Sequence, residues 1–270
     1  MSVRREAWPA GTPAWCDLSV PDRVTAQHFY RTLFGWSIAD GPAEMGYYAN
    51  AELHGETVAG IAQAMDGQEG MPPAWMTYLA TEDAEVTAAA VTAAGGTVLV
   101  PAMAVMDFGS MGVFADPTGA VFGIWQSGTH TGANIANEPG AVVWNEVMTP
   151  DVETAKAFYA TVFGYTYTDM SGDGFVYATF EVDGVTRGGI GAIGPEMGPL
   201  APHWLTYFAT DDTDASVTLT TEHGGRLVRE PWDSPYGRMA VVTGPAGETF
   251  ALMGTTADPA DPARSAAGGA

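Results

Sequence analysis

Cysteine is almost absent. The chain of 270 residues has one, Cys16, so neither an internal disulfide nor a cysteine-built metal site is available, and this usage fits a reducing compartment. Cations are scarce as well: 10 Lys and Arg stand against 32 Asp and Glu, a formal charge of −22. Such a surface repels phosphate, which argues against nucleic acid and anionic membrane as partners. No apolar run reaches the length of about 18 residues that a membrane span needs, and the start lacks the charged-then-apolar pattern of a signal peptide. The expected location is therefore the cytoplasm. The 5 histidines (His28, His54, His130, His203 and His223) are scattered rather than clustered. Gly-x-Ser-x-Gly, Walker and zinc-finger spacings are missing. The glycine-rich RGGIGAIG (187–194) lies inside a strand pattern with no helix after it, which argues against a phosphate loop. What the chain has in quantity is apolar matter, 46% against 16% charged residues, enough for one large core or two of ordinary size.

The sequence repeats once. Shifted by 129, WCDLSVPDRVTAQHFYRTLFGW (15–36) lies on WNEVMTPDVETAKAFYATVFGY (144–165), and PAWMTYLATED (73–83) lies on PHWLTYFATDD (202–212). Near the end the shift becomes 128, where DPTGAVFGIW (116–125) meets GPAGETFALM (244–253). A period this long means a duplicated domain rather than a solenoid. Four segments follow: a first module over 1–126, a linker over 127–140, a second module over 141–254, and an Ala/Pro/Gly-rich tail over 255–270 that is expected to be disordered.

Both modules read alike. Residues 14–20 alternate as a half-buried strand, Asp22 stands at an N-cap, and Val24, Phe29, Leu33 and Phe34 follow at helical spacing until Gly35. His54-Gly55 and Asp183-Gly184 mark hairpins. WMTYLAT is a further strand, Ala84–Ala94 a helix, and TVLV, MGVFAD and AVFGIW are strands. The Met-rich MAVMDFGSM (103–111) and its counterpart around Trp232 and Tyr236 read as loops placed to rim or cover a cavity.

The helix segments AQHFYRTLFGW and AKAFYATVFGY, the pair YLATEDAEV and YFATDDTDA, and the turns DPTG and GPAG resemble the vicinal oxygen chelate superfamily of glyoxalases, bleomycin-resistance proteins and extradiol dioxygenases. The resemblance covers about 12–126 and 141–253. It implies an α+β fold, a tandem repeat of two βαβββ modules whose curved sheets enclose a common barrel-like cavity. In the metal enzymes of that superfamily, the ligands are His, Gln or Glu on three strands. Carried over one by one, those positions fall on Trp15, Met76 and Gly123, and on Trp144, Leu205 and Ala251. None of the six suits a divalent cation, so no metal cofactor is predicted.

Strand alternation from those positions gives the inward face. It carries Trp15, Asp17, Met76, Tyr78 and Trp125 in one half, and Trp144, Glu146, His203, Leu205, Tyr207 and Met253 in the other. Cys16, Trp75, Trp204 and Phe208 face the helices as core. The expected cavity is aromatic, with Asp17 and Glu146 converging near the pseudo-twofold axis. A carboxylate against indole is desolvated and becomes a candidate acid or base; the plainer role is to accept a hydrogen bond from Tyr78 or Tyr207. The leading reading is a metal-free protein binding a hydrophobic or aromatic small molecule, with Asp17 or Glu146 as catalytic candidates if it is an enzyme. The alternative is a metal-dependent, glyoxalase-like lyase or a dioxygenase or hydroxylase, with Asp17, Glu146 and His203 converging on one ion. A third reading is a surface-binding protein with a vestigial cavity. Monomer and homodimer both fit.

Overall fold

A computed structural model describes residues 3–64, 72–194 and 197–254; the expected disordered tail, 255–270, lies outside the described residues. The first module runs β1 (Pro13–Val20), α1 (Arg23–Phe34), β2 (Ser37–Ile38), β3 (Ala49–Leu53), β4 (Glu56–Gln63), β5 (Trp75–Thr81), α2 (Ala84–Ala93), β6 (Thr97–Val105), β7 (Gly109–Ala115) and β8 (Val121–Ser127). The second repeats it with β9 (Val142–Thr149), α3 (Val152–Phe163), β10 (Thr166–Asp169), β11 (Tyr177–Val182), β12 (Val185–Ala192), β13 (His203–Thr210), α4 (Thr213–Glu222), β14 (Arg226–Ser234), β15 (Gly237–Thr243) and β16 (Thr249–Gly254). Each module is one 8-stranded sheet, ordered β2-β3-β4-β1-β5-β8-β7-β6 and β10-β11-β12-β9-β13-β16-β15-β14. The βαβββ unit therefore occurs twice within each module. Among the described residues, no helix is long and apolar enough to cross a membrane.

Local chemistry accounts for the elements. Asp22 and Asp151 cap α1 and α3 by accepting from the backbone N–H of Thr25 and Thr154 at 3.1 and 3.0 Å, satisfying donors that a helix start leaves orphaned. Both helices end at a left-handed glycine, Gly35 at φ 69° and Gly164 at φ 70°. His54-Gly55 and Asp183-Gly184 form tight hairpins with positive φ at both residues, as the sequence implies. MAVMDFGSM is not a loop: β6 continues to Val105, β7 opens at Gly109, and the intervening turn is three residues long.

The core decides how the modules meet. Phe29, Tyr30 and Phe34 of α1 pack not only on β1 and Trp75 but also on Phe208, Phe250 and Leu252 of the second module. The mirror arrangement sets Phe158 and Tyr159 of α3 against Leu79, Phe122 and Ile124 of the first. Burying a Phe side chain contributes about 1.5–3 kcal/mol, so these shared layers are a large part of what joins the halves. Thr77, Thr206 and the Asn145 amide oxygen are linked by hydrogen bonds of 3.0–3.3 Å where β5 and β13 meet. Tyr30 donates to Glu248 at 2.8 Å and Tyr159 to Asp116 at 3.1 Å, each bond crossing from one module to the other. The two sheets thus turn their helix-covered faces toward each other. A single cavity common to both modules, with Asp17 and Glu146 together, is not what forms. Each sheet keeps its own helix-free face instead, because the apolar helix surfaces are buried between the sheets.

Candidate functional site

Register builds the helix-free faces. Strand β1 pairs with β5 and β4 so that Trp15 lies opposite Tyr78, and Asp17 lies between Met76 and Gly60. Strand β8 places Gly123 beside Tyr78 and Trp125 beside Ala80. Trp15, Tyr78 and Trp125 form one cluster, with Tyr48, Met76 and Met111 packed on it. In the second module Trp144 lies opposite Tyr207, Glu146 lies between Leu205 and Gly189, and Met253 lies beside Ala209. There Leu205, Tyr207 and Ala251 form the cluster, with Trp144, Met239 and Met253 packed against it. His203 opens β13 opposite Met148, with Nδ1 2.8 Å from the Ala201 carbonyl oxygen. Each half of the expected set is thus brought together, but the two halves are kept apart.

A hydrogen-bonded chain runs through both faces. Trp15 Nε1 donates to the Tyr48 hydroxyl at 2.9 Å, and Tyr48 donates to Asp17 Oδ2 at 3.1 Å. Trp144 Nε1 donates to Tyr177 at 3.0 Å, and Tyr177 donates to Glu146 Oε2 at 2.7 Å. Tyr207 donates to Glu146 Oε1 at 2.7 Å, the plainer role foreseen for that tyrosine. Tyr48 and Tyr177 are the participants the sequence reading missed. The signal was present, since the 129-residue shift lays Tyr48 on Tyr177 and Gly60 on Gly189. The glycines make room for the rings: a Cβ on Gly60 would sit 2.1 Å from the Tyr48 oxygen, and one on Gly189 1.9 Å from that of Tyr177.

The two carboxyls differ in setting. Burial against the aromatic floor raises Asp17 to about 7, against the pull of Tyr48 and Tyr78, which favour the carboxylate. Part of Asp17 nevertheless stays open to solvent. Glu146 is only 7% exposed. Burial raises its pKa too, while Tyr207, Tyr177 and the nearby His203 hold it down. Glu146 is a sealed, satisfied group; Asp17 is half-buried.

The first face has a further member. His130, in the linker, sets its imidazole edge-on to Trp15 and Trp125, with ring centroids 4.5 and 5.5 Å apart. Its carbonyl accepts from Trp125 Nε1 at 2.9 Å, and its Nδ1 accepts from the Gly132 N–H at 3.1 Å. No sequence pattern marks it, because SGTHTG has no periodicity and only the fold returns the linker to this face. Met111 lies on the face, whereas Met106, at the hairpin tip, is 70% exposed. A crevice of about 510 Å³ opens elsewhere, lined by Leu33, Phe34, Leu53, His54, Pro139 and Asp211, away from both carboxylate networks.

Comparison with known proteins places this geometry. Residues 130–252 match the model of the Glyoxalase/Bleomycin resistance protein/Dioxygenase superfamily, and residues 15–125 match a Glyoxalase-like domain. CFP32 of Mycobacterium tuberculosis, whose name assigns it provisionally to the glyoxylases, is 40% identical over 255 residues, covering 93% of this chain and 97% of that protein. The chain belongs to the glyoxalase/bleomycin resistance/dioxygenase superfamily. The anthracycline biosynthesis protein DauV of a Streptomyces species is 35% identical over 257 residues, covering 90% of this chain and 93% of its own. A Mn(II)-bound glyoxalase from Novosphingobium aromaticivorans shares the vicinal oxygen chelate fold with a TM-score of 0.64 at 18% identity, over 91% of this chain and 82% of that one.

The side chains here do not fit such a metal. The first-module positions that the resemblance assigns to ligands hold Trp15, Met76 and Gly123, and the Tyr78 ring fills the space above Gly123, where a Cβ would lie 2.2 Å from it. Indole, thioether and hydrogen offer no hard donor. Among the described residues, no three His, Cys, Asp or Glu side chains gather as a metal site would require. Asp17, Glu146 and His203 do not converge on one ion, because Asp17 lies on a different sheet from the other two.

Proposed function

We propose that the chain binds a hydrophobic or aromatic small molecule on the helix-free face of its first module, without a metal, and that Asp17 is the acid/base group of that site. The observation that carries the reading is a half-buried aspartate whose carboxyl is raised to about 7 among Trp15, Tyr48 and Tyr78. A group titrating near neutral pH both accepts and returns a proton efficiently. In its charged form Asp17 takes a proton from an acidic C–H or O–H of the bound molecule; in its acid form it gives the proton back, so the net change is an isomerisation with no redox partner. The second face, with Glu146 already held by two tyrosines, serves stability. A relative named for anthracycline biosynthesis fits an aromatic ligand. One chain carries the whole face, so the reading needs no second copy.

The test is tryptophan fluorescence of EDTA-treated protein titrated with ethylnaphthalene. The expected result is saturable quenching, weakened about tenfold by Trp15→Phe and little changed by Trp144→Phe, as loss of a central aromatic contact implies. Saturation only after Mn²⁺ or Zn²⁺ is restored, or equal losses in both variants, would overturn the reading.

A further inference from the structure

The donors of the first face are almost all committed. Trp15 Nε1 is taken by Tyr48, Tyr48 by Asp17, and Trp125 Nε1 by the His130 carbonyl; the nearby Tyr78 hydroxyl favours the charged form of Asp17. His130 offers a donor that is not committed. Its Nδ1 accepts the Gly132 N–H, so the proton of the neutral ring is on Nε2. Among the described residues no hydrogen bond engages Nε2, and it is not one of the sealed, unpartnered polar atoms.

The ring is held in place. Gly128 and His130 donate their N–H groups to the Phe108 carbonyl at 2.8 and 3.1 Å, Thr129 donates to that of Asp107 at 3.0 Å, and beyond the ring Ala133 donates to that of Ala14 at 2.8 Å. The imidazole is thus pinned between the β6–β7 turn and β1, edge-on to two indoles. Burial also lowers its pKa, which keeps it neutral near pH 7.

We propose that His130 is a ligand-contacting residue of the first face, and that its Nε2–H selects aromatic or hydrophobic molecules that carry a carbonyl oxygen. This rests on the first face being the ligand site and names what that site prefers. An apolar floor accepts many flat molecules, but a single fixed donor discriminates. A hydrocarbon displaces water from Nε2–H and leaves it unpaired, whereas a carbonyl oxygen replaces the water. The same contact polarises the carbonyl whose neighbouring C–H Asp17 would deprotonate: the C–H electron pair moves toward the oxygen that His130 holds, and the proton goes to Asp17.

The experiment compares acetylnaphthalene with ethylnaphthalene, which are similar in size and differ in the carbonyl, by fluorescence titration. Wild type is expected to prefer the ketone about tenfold, the size of one well-made hydrogen bond. His130→Phe should abolish the preference of ketone over hydrocarbon, and His130→Gln, which retains a donor, should restore most of it. A readout free of variants is the nitrogen NMR signal of His130 Nε2, which should shift with acetylnaphthalene and not with ethylnaphthalene. A ketone preference unchanged in His130→Phe, or an Nε2 signal indifferent to the ketone, overturns the assignment and leaves the ligand site standing. Failure of both probes to bind wild type overturns the ligand site and the assignment with it.

Discussion

Replacing Asp17 by Asn keeps the shape of the side chain and an oxygen for Tyr48 but removes the charge. In the wild type, burial lifts the Asp17 carboxyl from its ordinary 3.8 to about 7, so the folded protein prefers it protonated. A shift of that size corresponds to about 4 kcal/mol between its two ends. Asp17 is partly open, and solvent screening reduces the figure to about 2 kcal/mol. The sign follows from linkage. The folded state binds this proton more tightly than the unfolded chain, so the contribution is fully present below pH 3.8 and is lost as pH rises through 7. The uncharged amide of the variant has no such loss. Thermal unfolding followed by circular dichroism from about pH 4.5 to 9 should show the Asp17→Asn melting temperature pulling ahead of the wild type as pH rises. Above pH 7 the gap should reach about 4–8 °C for a chain of this size. A gap that is the same at both ends of the range, or one that closes as pH rises, would refute the reasoning.

Three further outcomes are expected. Glu146→Ala strands the Tyr177 and Tyr207 hydroxyls, which both donate to that carboxylate, and should cost about 2–4 kcal/mol in urea unfolding, with Glu146→Gln costing less. Tyr30→Phe deprives Glu248 of its donor and Trp75 Nε1 of its acceptor inside a sealed core; about 2–3 kcal/mol should be lost, with the joint between modules more open to hydrogen exchange. Met106 holds φ at 51°, a conformation that a side chain disfavours, so Met106→Gly should raise stability by about 0.5–1 kcal/mol in the same unfolding assay.

The duplication, the helix caps and the hairpins were legible because they rest on local chemistry: Asp22 before its helix, Gly35 after it, His54-Gly55 between alternating strands. The floor of each face was legible for the same reason, since alternation from Trp15 and Tyr78 leaves no freedom about which residues share a side. Strand β6 was cut short at TVLV because the Met-rich MAVMDFGSM read as a loop. Pro101 instead sits in an edge strand, where a missing N–H is tolerated, and Gly109 begins β7. The separation of Asp17 from Glu146 was not legible. It depends on Phe208 and Phe250 packing against α1 of the other module, a contact that no local pattern encodes. His130 was hidden likewise, since only the path of the linker returns it to Trp15.

Native mass spectrometry of untagged protein, set against its denatured mass, tests the metal-free site most directly. The expected spectrum carries no stoichiometric divalent metal, and any bound mass is organic and lost on denaturation. A one-to-one excess matching Mn²⁺, Fe²⁺, Ni²⁺ or Zn²⁺ would contradict it, for it would require ligands that Trp15, Met76 and Gly123 cannot provide.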